Sequence, residues 1–302
     1  MTTRVAAGLG TRLLDRALVT AAARAGAPGR IRFTERQLYY ELCRVLRRPL
    51  RAVPRGIPFL PARLSLPDLP VPLVRYERYE EALRRHGDVA GLLAAVPEPR
   101  EPQESRQPSE PDLYDYGLPR LLVCQSRSVA RMLLANDVHL EAACPVFAAD
   151  DLPLDARLLT GLGRVEGATV HVLHDASVEG IALTARVRAE VSRAVAVSGA
   201  PTAPGMRVTS MGLVPRHATA LRLLSRRGPA RDLGAAGLPA GLGRHELDWL
   251  AQGRFAEVES VPPDRLLRAV LRLVRGPRMS GHSAWSGLRE LRTAGFMTWP
   301  TN

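Results

Sequence analysis

The chain reads as an α/β protein in two parts: a helical N-terminal unit, then a parallel-sheet α/β domain with a C-terminal helical extension. Three observations predict this. Residues 1–48 and 75–93 carry apolar side chains at helical spacing. Residues 96–111, VPEPREPQESRQPSEP, keep no apolar period and are dominated by Pro, Glu, Gln and Ser, the composition of a semi-extended linker. From residue 118 onward short β-type runs alternate with helical ones, as in a mostly parallel sheet covered on both faces. The expected division is therefore 1–95, a linker over 96–117, an α/β domain over 118–275, and a polar tail over 276–302.

Residues 1–27 read as one helix, ended by Gly26 and Pro28. The next, RIRFTERQLYYELCRVLRR at 30–48, becomes helical from about Thr34, with Gln37 three residues later completing a capping box. Residues 49–72 are rich in Pro and Arg and can form neither a continuous helix nor a central strand. They suit an extended arm or two short strands. Residues 75–93 return to helical spacing, with Tyr79 and Leu83 on one face. Two helices, a basic loop and a third helix suit a winged-helix-type DNA-binding unit. In the second part, strands are expected at 121–124, 145–149, 168–173 and 206–211. Helices are expected at 126–136, 156–162, 178–194 and 217–225, and a closing pair at 244–252 and 263–274.

With 302 residues, 46% of them hydrophobic, the chain can bury a large core, and an aromatic content of 5% puts that core on Leu, Val and Ala. The apolar run at 89–96 is too short to cross a bilayer, and arginines interrupt the N-terminal segment as they would not in a signal peptide. A cytoplasmic protein with no membrane partner is expected. Cys43, Cys124 and Cys144 are widely spaced in apolar surroundings, which predicts buried free thiols and neither a disulfide framework nor a metal site. The net charge of +12 and pI near 10.9 point to a polyanionic partner, nucleic acid above all. All the basic residues are Arg, a bias that raises the charge whatever the function. Acidic residues nevertheless number only 30 against 42 basic ones.

Two stretches could carry chemistry. On the helix from Thr34, Arg36 and Tyr40 share a face while Tyr39 points away. A phenol beside a guanidinium has its phenolate favoured, as a tyrosine nucleophile requires, whereas an aromatic pair on an amphipathic helix is also ordinary core packing. The second stretch is HDASVEGI at 174–181. Asp175 just past a strand end is a common place for a metal-binding carboxylate, with Glu179 its near neighbour; the structural alternative is Asp175 or Ser177 as N-cap of the following helix. No nucleophile elbow, zinc spacing or Walker-type phosphate loop is present, and with no Lys in the chain the last could not exist.

Taken in order, these pieces resemble the A subunit of topoisomerase VI and its relative, the meiotic double-strand-break transesterase. That family couples a winged helix bearing Arg-x-x-Tyr-Tyr to a Toprim domain. Arg36-Gln37-Leu38-Tyr39-Tyr40 matches the first motif, with Tyr40 in the nucleophile's place and Arg36 stabilising charge. LLVCQSRSVARML, VFAADDLPLDARLL and HVLHDASVEGI follow the order of the Toprim segments, and RHELDWLAQGRF is similar to the C-terminal helical region. The resemblance covers roughly 30–50 and 120–260. It implies a Toprim-like second domain, a homodimer, an ATPase partner subunit, and Mg2+ bound by carboxylates. Here Gln125 stands at the family's Glu and Ser177 at the second Asp of Asp-x-Asp, leaving Asp175, with Glu179, Asp150 or Asp151 as substitutes, so magnesium binding is expected to be weak. The leading expectation is a nucleoid-associated DNA-binding protein of this architecture with weakened or lost cleavage, its phosphate contacts made by Arg44, Arg47, Arg48, Arg51 and Arg55. The alternatives are an active tyrosine-dependent DNA transesterase and an α/β module binding a ligand or protein.

Overall fold

The computed structural model describes residues 2–51, 72–94, 117–198, 205–234 and 238–275. The arm between the second and third helices, most of the linker and the C-terminal tail lie outside the described residues, and with them any wing.

In the N-terminal unit, α1 (Thr2–Ala25) lies along α2 (Glu35–Arg51), and α3 (Tyr76–His86) closes the group. Leu18, Ala21 and Ala25 from α1 meet Leu38, Leu42 and Cys43 from α2 in one buried cluster. Each buried leucine there contributes at most about 1.5–3 kcal/mol. The start of α2 follows its sequence. The Thr34 N–H donates to Gln37 Oε1 (2.9 Å) and the Gln37 N–H donates to Thr34 Oγ1 (3.1 Å), a reciprocal capping box.

The second part is an α/β unit built on a four-stranded, all-parallel sheet. Its strands are β1 (Arg120–Cys124), β2 (Val146–Ala148), β3 (Thr169–Leu173) and β4 (Arg207–Ser210), in the order β2-β1-β3-β4. Leu122 of β1 is in register with Val146 on one side and His171 on the other. Strand periodicity sorts the core into two layers. Leu121 and Val123 face α6 (Ala156–Gly163) and α7 (Val178–Ser198), with Leu158, Leu162, Leu183 and Val187. Leu122 and Cys124 face α4 (Arg127–Ala135), with Val129, Met132 and Leu133. The short α5 (Val138–Glu141) follows α4. Among the described residues no helix is long and apolar enough to cross a membrane.

After β4 the chain forms α8 (Pro215–Ala220), β5 (Arg226–Arg227), α9 (Arg244–Ala251), β6 (Arg254–Phe255) and α10 (Pro263–Arg275). α8 starts and stops earlier than its apolar spacing predicts. Pro215 opens it at the first turn, and Arg222, at φ +50°, has left the helical region. The antiparallel pair β5–β6 was not anticipated, because two-residue strands in a Gly- and Pro-rich stretch carry no period. It stands over the carboxyl ends of β1 and β3. Two clamps join the N-terminal unit to the sheet unit. The Asn136 side chain accepts from the Arg32 N–H (2.9 Å) and donates to the Arg32 carbonyl (2.8 Å), and α2 packs on the 3-10 turn Val258–Ser260.

Candidate functional site

At the carboxyl ends of β1 and β3 lies a groove of about 360 Å³, where functional groups of parallel sheets collect. Its floor is Gln125, Asp175 and Ser177. Its far wall comes from β5–β6 and the residues beside it, including Arg231, Arg254 and Phe255, and Glu257 also lines it.

The floor is built from hydrogen bonds within the protein. Gln125 Oε1 accepts from the Asp175 N–H at 2.8 Å, tying the end of β1 to the end of β3. Ser177 Oγ accepts from the Gly180 N–H at 3.0 Å and so caps α7, the role the capping alternative gave to Asp175 or Ser177. A Cβ on Gly180 would lie 2.5 Å from both Gln125 Oε1 and the Asp175 carbonyl, so only glycine fits at this position in the first turn of α7. Asp175 Oδ1 accepts from the Val258 N–H at 2.7 Å. Burial raises the Asp175 carboxyl to about 7, the Val258 N–H holding it down in part and the nearby Glu257 pushing it further up.

Tyr40 reaches this site from α2. Four of the six tyrosines, Tyr39, Tyr40, Tyr76 and Tyr79, form a cluster in which Tyr39 touches the other three at ring-centroid distances of 5.4, 5.1 and 5.3 Å. Tyr39, whose hydroxyl donates to the Val74 carbonyl (2.7 Å), is a packing residue. Tyr40 is 1% exposed, and its hydroxyl donates to Glu257 Oε2 at 2.6 Å. Arg36, one turn earlier, donates through Nη1 to Glu257 Oε1 at 2.7 Å, and Arg226 Nη1 stands 3.6 Å from the same oxygen. The sequence places Tyr40 beside Arg36, and the structure does bring both to one carboxylate. The effect on the phenol is opposite to that expected. Burial, then the Glu257 charge and its hydrogen bond, raise the Tyr40 phenol far above its ordinary value, and the more distant pull of Arg226 and Arg36 does not compensate.

Two residues further on, Glu259 is buried and accepts from Thr34 Oγ1 at 2.8 Å. Burial raises its carboxyl to about 7 against the opposing Thr34 hydrogen bond. Glu257, Glu259 and Arg226 were missed in the sequence. The available signal was the alternation Glu257-Val258-Glu259 just before an amphipathic helix in a chain with fewer acids than bases.

Of the other expected site residues, Glu179 lines the groove, whereas Asp150, Asp151, Arg44 and Arg47 do not. Glu179 is half exposed and ion-paired to Arg231 at 2.8 Å. Asp150 and Asp151 are held by Arg127 at 3.5 and 2.7 Å. Arg44 is spent internally, donating to Glu41 (2.8 Å) and to the Ser260 carbonyl (2.6 Å), and Arg47 is buried. The side chains of Arg48 and Arg51, and the whole of Arg55, lie outside the described residues. These positions do not fit magnesium. The ion needs anionic oxygens in octahedral array, whereas Gln125 and Ser177 are neutral and engaged, one Asp175 oxygen is taken by a backbone N–H, and both Glu257 oxygens face protein donors. Among the described residues no group of three or more His, Cys, Asp or Glu side chains is arranged to hold a metal ion. In comparisons with known proteins, no family model, no curated protein and no solved structure matches the chain.

Proposed function

We propose that this protein binds DNA without cleaving it, as a scaffold of the architecture that the A subunit of topoisomerase VI represents. One observation carries the non-cleaving part: the hydroxyl of Tyr40 is buried and donates to Glu257 at 2.6 Å. A tyrosine attacks phosphorus as its phenolate, and here burial and an adjacent carboxylate both hold the proton on. The unfit metal positions act in the same direction, because nothing there neutralises charge on a transferring phosphate. The net charge of +12 supports the DNA-binding part. The same reading implies a homodimer and an ATPase partner subunit.

Duplex binding measured by fluorescence anisotropy tests it. Three neutralised phosphates, at Arg48, Arg51 and Arg55, predict a loss of roughly 40-fold in affinity between 50 and 200 mM salt. Incubation with supercoiled plasmid and Mg2+ or Mn2+, followed by denaturation, should leave no protein joined to DNA, and Tyr40→Phe should behave as the parent does. A covalent adduct that disappears in Tyr40→Phe would establish cleavage and overturn the proposal. Absence of duplex binding at low salt would remove the DNA reading altogether.

A further inference from the structure

We infer that Arg36 and Arg226 form a phosphate subsite which, in the free protein, is filled by the protein's own Glu257 carboxylate. The inference deepens the DNA-binding reading and rests on it for the source of the phosphate. Three donors from two distant parts of the chain converge on Glu257: the Tyr40 hydroxyl (2.6 Å), Arg36 Nη1 (2.7 Å) and Arg226 Nη1 (3.6 Å). Guanidinium groups recognise carboxylates and phosphates with the same planar fork, so a site shaped for one accepts the other.

Access differs sharply among the partners. The Glu257 side chain is 13% exposed, whereas those of Arg36 and Arg226 are 42% and 40% exposed. The cations therefore face solvent while the anion sits between them, with Tyr40 behind it. Both cations are also held in place by aromatic rings, Arg36 over Tyr76 and Arg226 over Phe255, each 5.6 Å from the ring centroid. Phe255 and Glu257 line the groove, so a strand of nucleic acid lying in it would bring a phosphate to the two guanidiniums. There the Glu257 charge, already held by both guanidiniums, would oppose it. Glu257 thus lowers affinity for phosphate and keeps Tyr40 shielded in the same contact.

Glu257→Gln removes the charge and keeps an oxygen for the Tyr40 hydroxyl. Anisotropy with a labelled duplex at low salt should show binding about fivefold tighter than the parent, with a salt slope steeper by about 1–2. Adding Arg226→Gln should return the affinity to the parent's. Pyrophosphate should raise the melting temperature of Glu257→Gln and leave the parent's unchanged. Folded Glu257→Gln that binds the duplex no tighter than the parent and gains no response to pyrophosphate would overturn the inference, as would a gain that survives Arg226→Gln. If Glu257→Gln responds to pyrophosphate while neither protein binds duplex, the subsite stands and the DNA reading falls. Should Glu257→Gln not fold, Glu257→Asp, which withdraws the carboxylate by one methylene, takes its place with the same expected directions.

Discussion

Replacing Glu259 by Gln should stabilise the protein at pH 8 and do little at pH 4.5. The Glu259 carboxyl ordinarily titrates near 4.5 and is raised to about 7 in the folded chain. Between those values the folded state holds a proton the unfolded state has lost, so stability falls as pH rises. The favourable condition is complete below pH 4.5 and is gone once pH has passed through 7. The displacement corresponds to about 3 kcal/mol of burial cost above pH 7. Gln carries no charge at any pH and can still accept from Thr34 Oγ1, which lies 2.8 Å from Glu259 Oε1. The parent's own pH profile would not isolate this. Asp175, also raised to about 7, acts with the same sign, while His171, pushed down to about 4 by burial, costs stability as pH falls from 6.5 toward 4. The difference between variant and parent removes those shared contributions. Urea denaturation followed by circular dichroism should give Glu259→Gln an advantage of about 2–3 kcal/mol at pH 8 and less than about 0.5 kcal/mol at pH 4.5. A variant no more stable than the parent at pH 8 would refute the claim that burial of this charge opposes folding.

Gly253→Ala should cost at least about 2 kcal/mol, because the residue sits at φ +71° and a Cβ there would lie 2.0 Å from the Pro229 carbonyl and 2.6 Å from that of Gly228. Gly241→Ala, where a Cβ meets nothing within 4 Å, should shift stability by less than about 0.5 kcal/mol in the same denaturation assay. Cys43, Cys124 and Cys144 are buried free thiols, and burial raises all three, Cys144 to about 12. Ellman's reagent should therefore modify none of them in native protein at pH 8 and all three in 6 M guanidinium, roughly the condition of full unfolding.

Regular elements were legible because a local pattern decided each of them. β1 and β3 are buried on both faces and read as short runs rich in Leu and Val, and α2 declared its start through Thr34 and Gln37. The meeting of Arg36 with Tyr40 was legible for the same reason, since helical spacing alone puts them on one side. Glu257 was not. Its role depends on α2 and the 3-10 turn Val258–Ser260 coming together across more than two hundred residues, and no local period encodes that distance. Arg226 was hidden similarly, in a two-residue strand whose partner Phe255 lies 29 positions on. Arg44 erred in the other direction. An arginine on a basic helix suggests a phosphate contact, but Glu41 one turn earlier and the Ser260 carbonyl satisfy it first.

The distribution of carboxylates gives the site its character. In the resembled family the acidic groups would stand at the strand ends, where this chain has Gln125 and Ser177. Here two acids reach α2 instead from one short stretch, Glu257 and Glu259, and each faces a donor on or just before α2: Tyr40 and Arg36 for the first, Thr34 for the second. Carboxylates bound in this way accept from the protein, so they join two structural units and have less to offer an ion. Both Asp175 and Glu259 are raised to about 7, by burial first and then by the neighbouring Glu257 charge, with Arg36 pulling the other way. Such a cluster gains from any change that removes one negative charge. Neutralising Glu259 should relieve the folding cost, and neutralising Glu257 should free two arginines for phosphate. The two substitutions, a single residue apart, thus separate the cluster's contribution to stability from its contribution to binding.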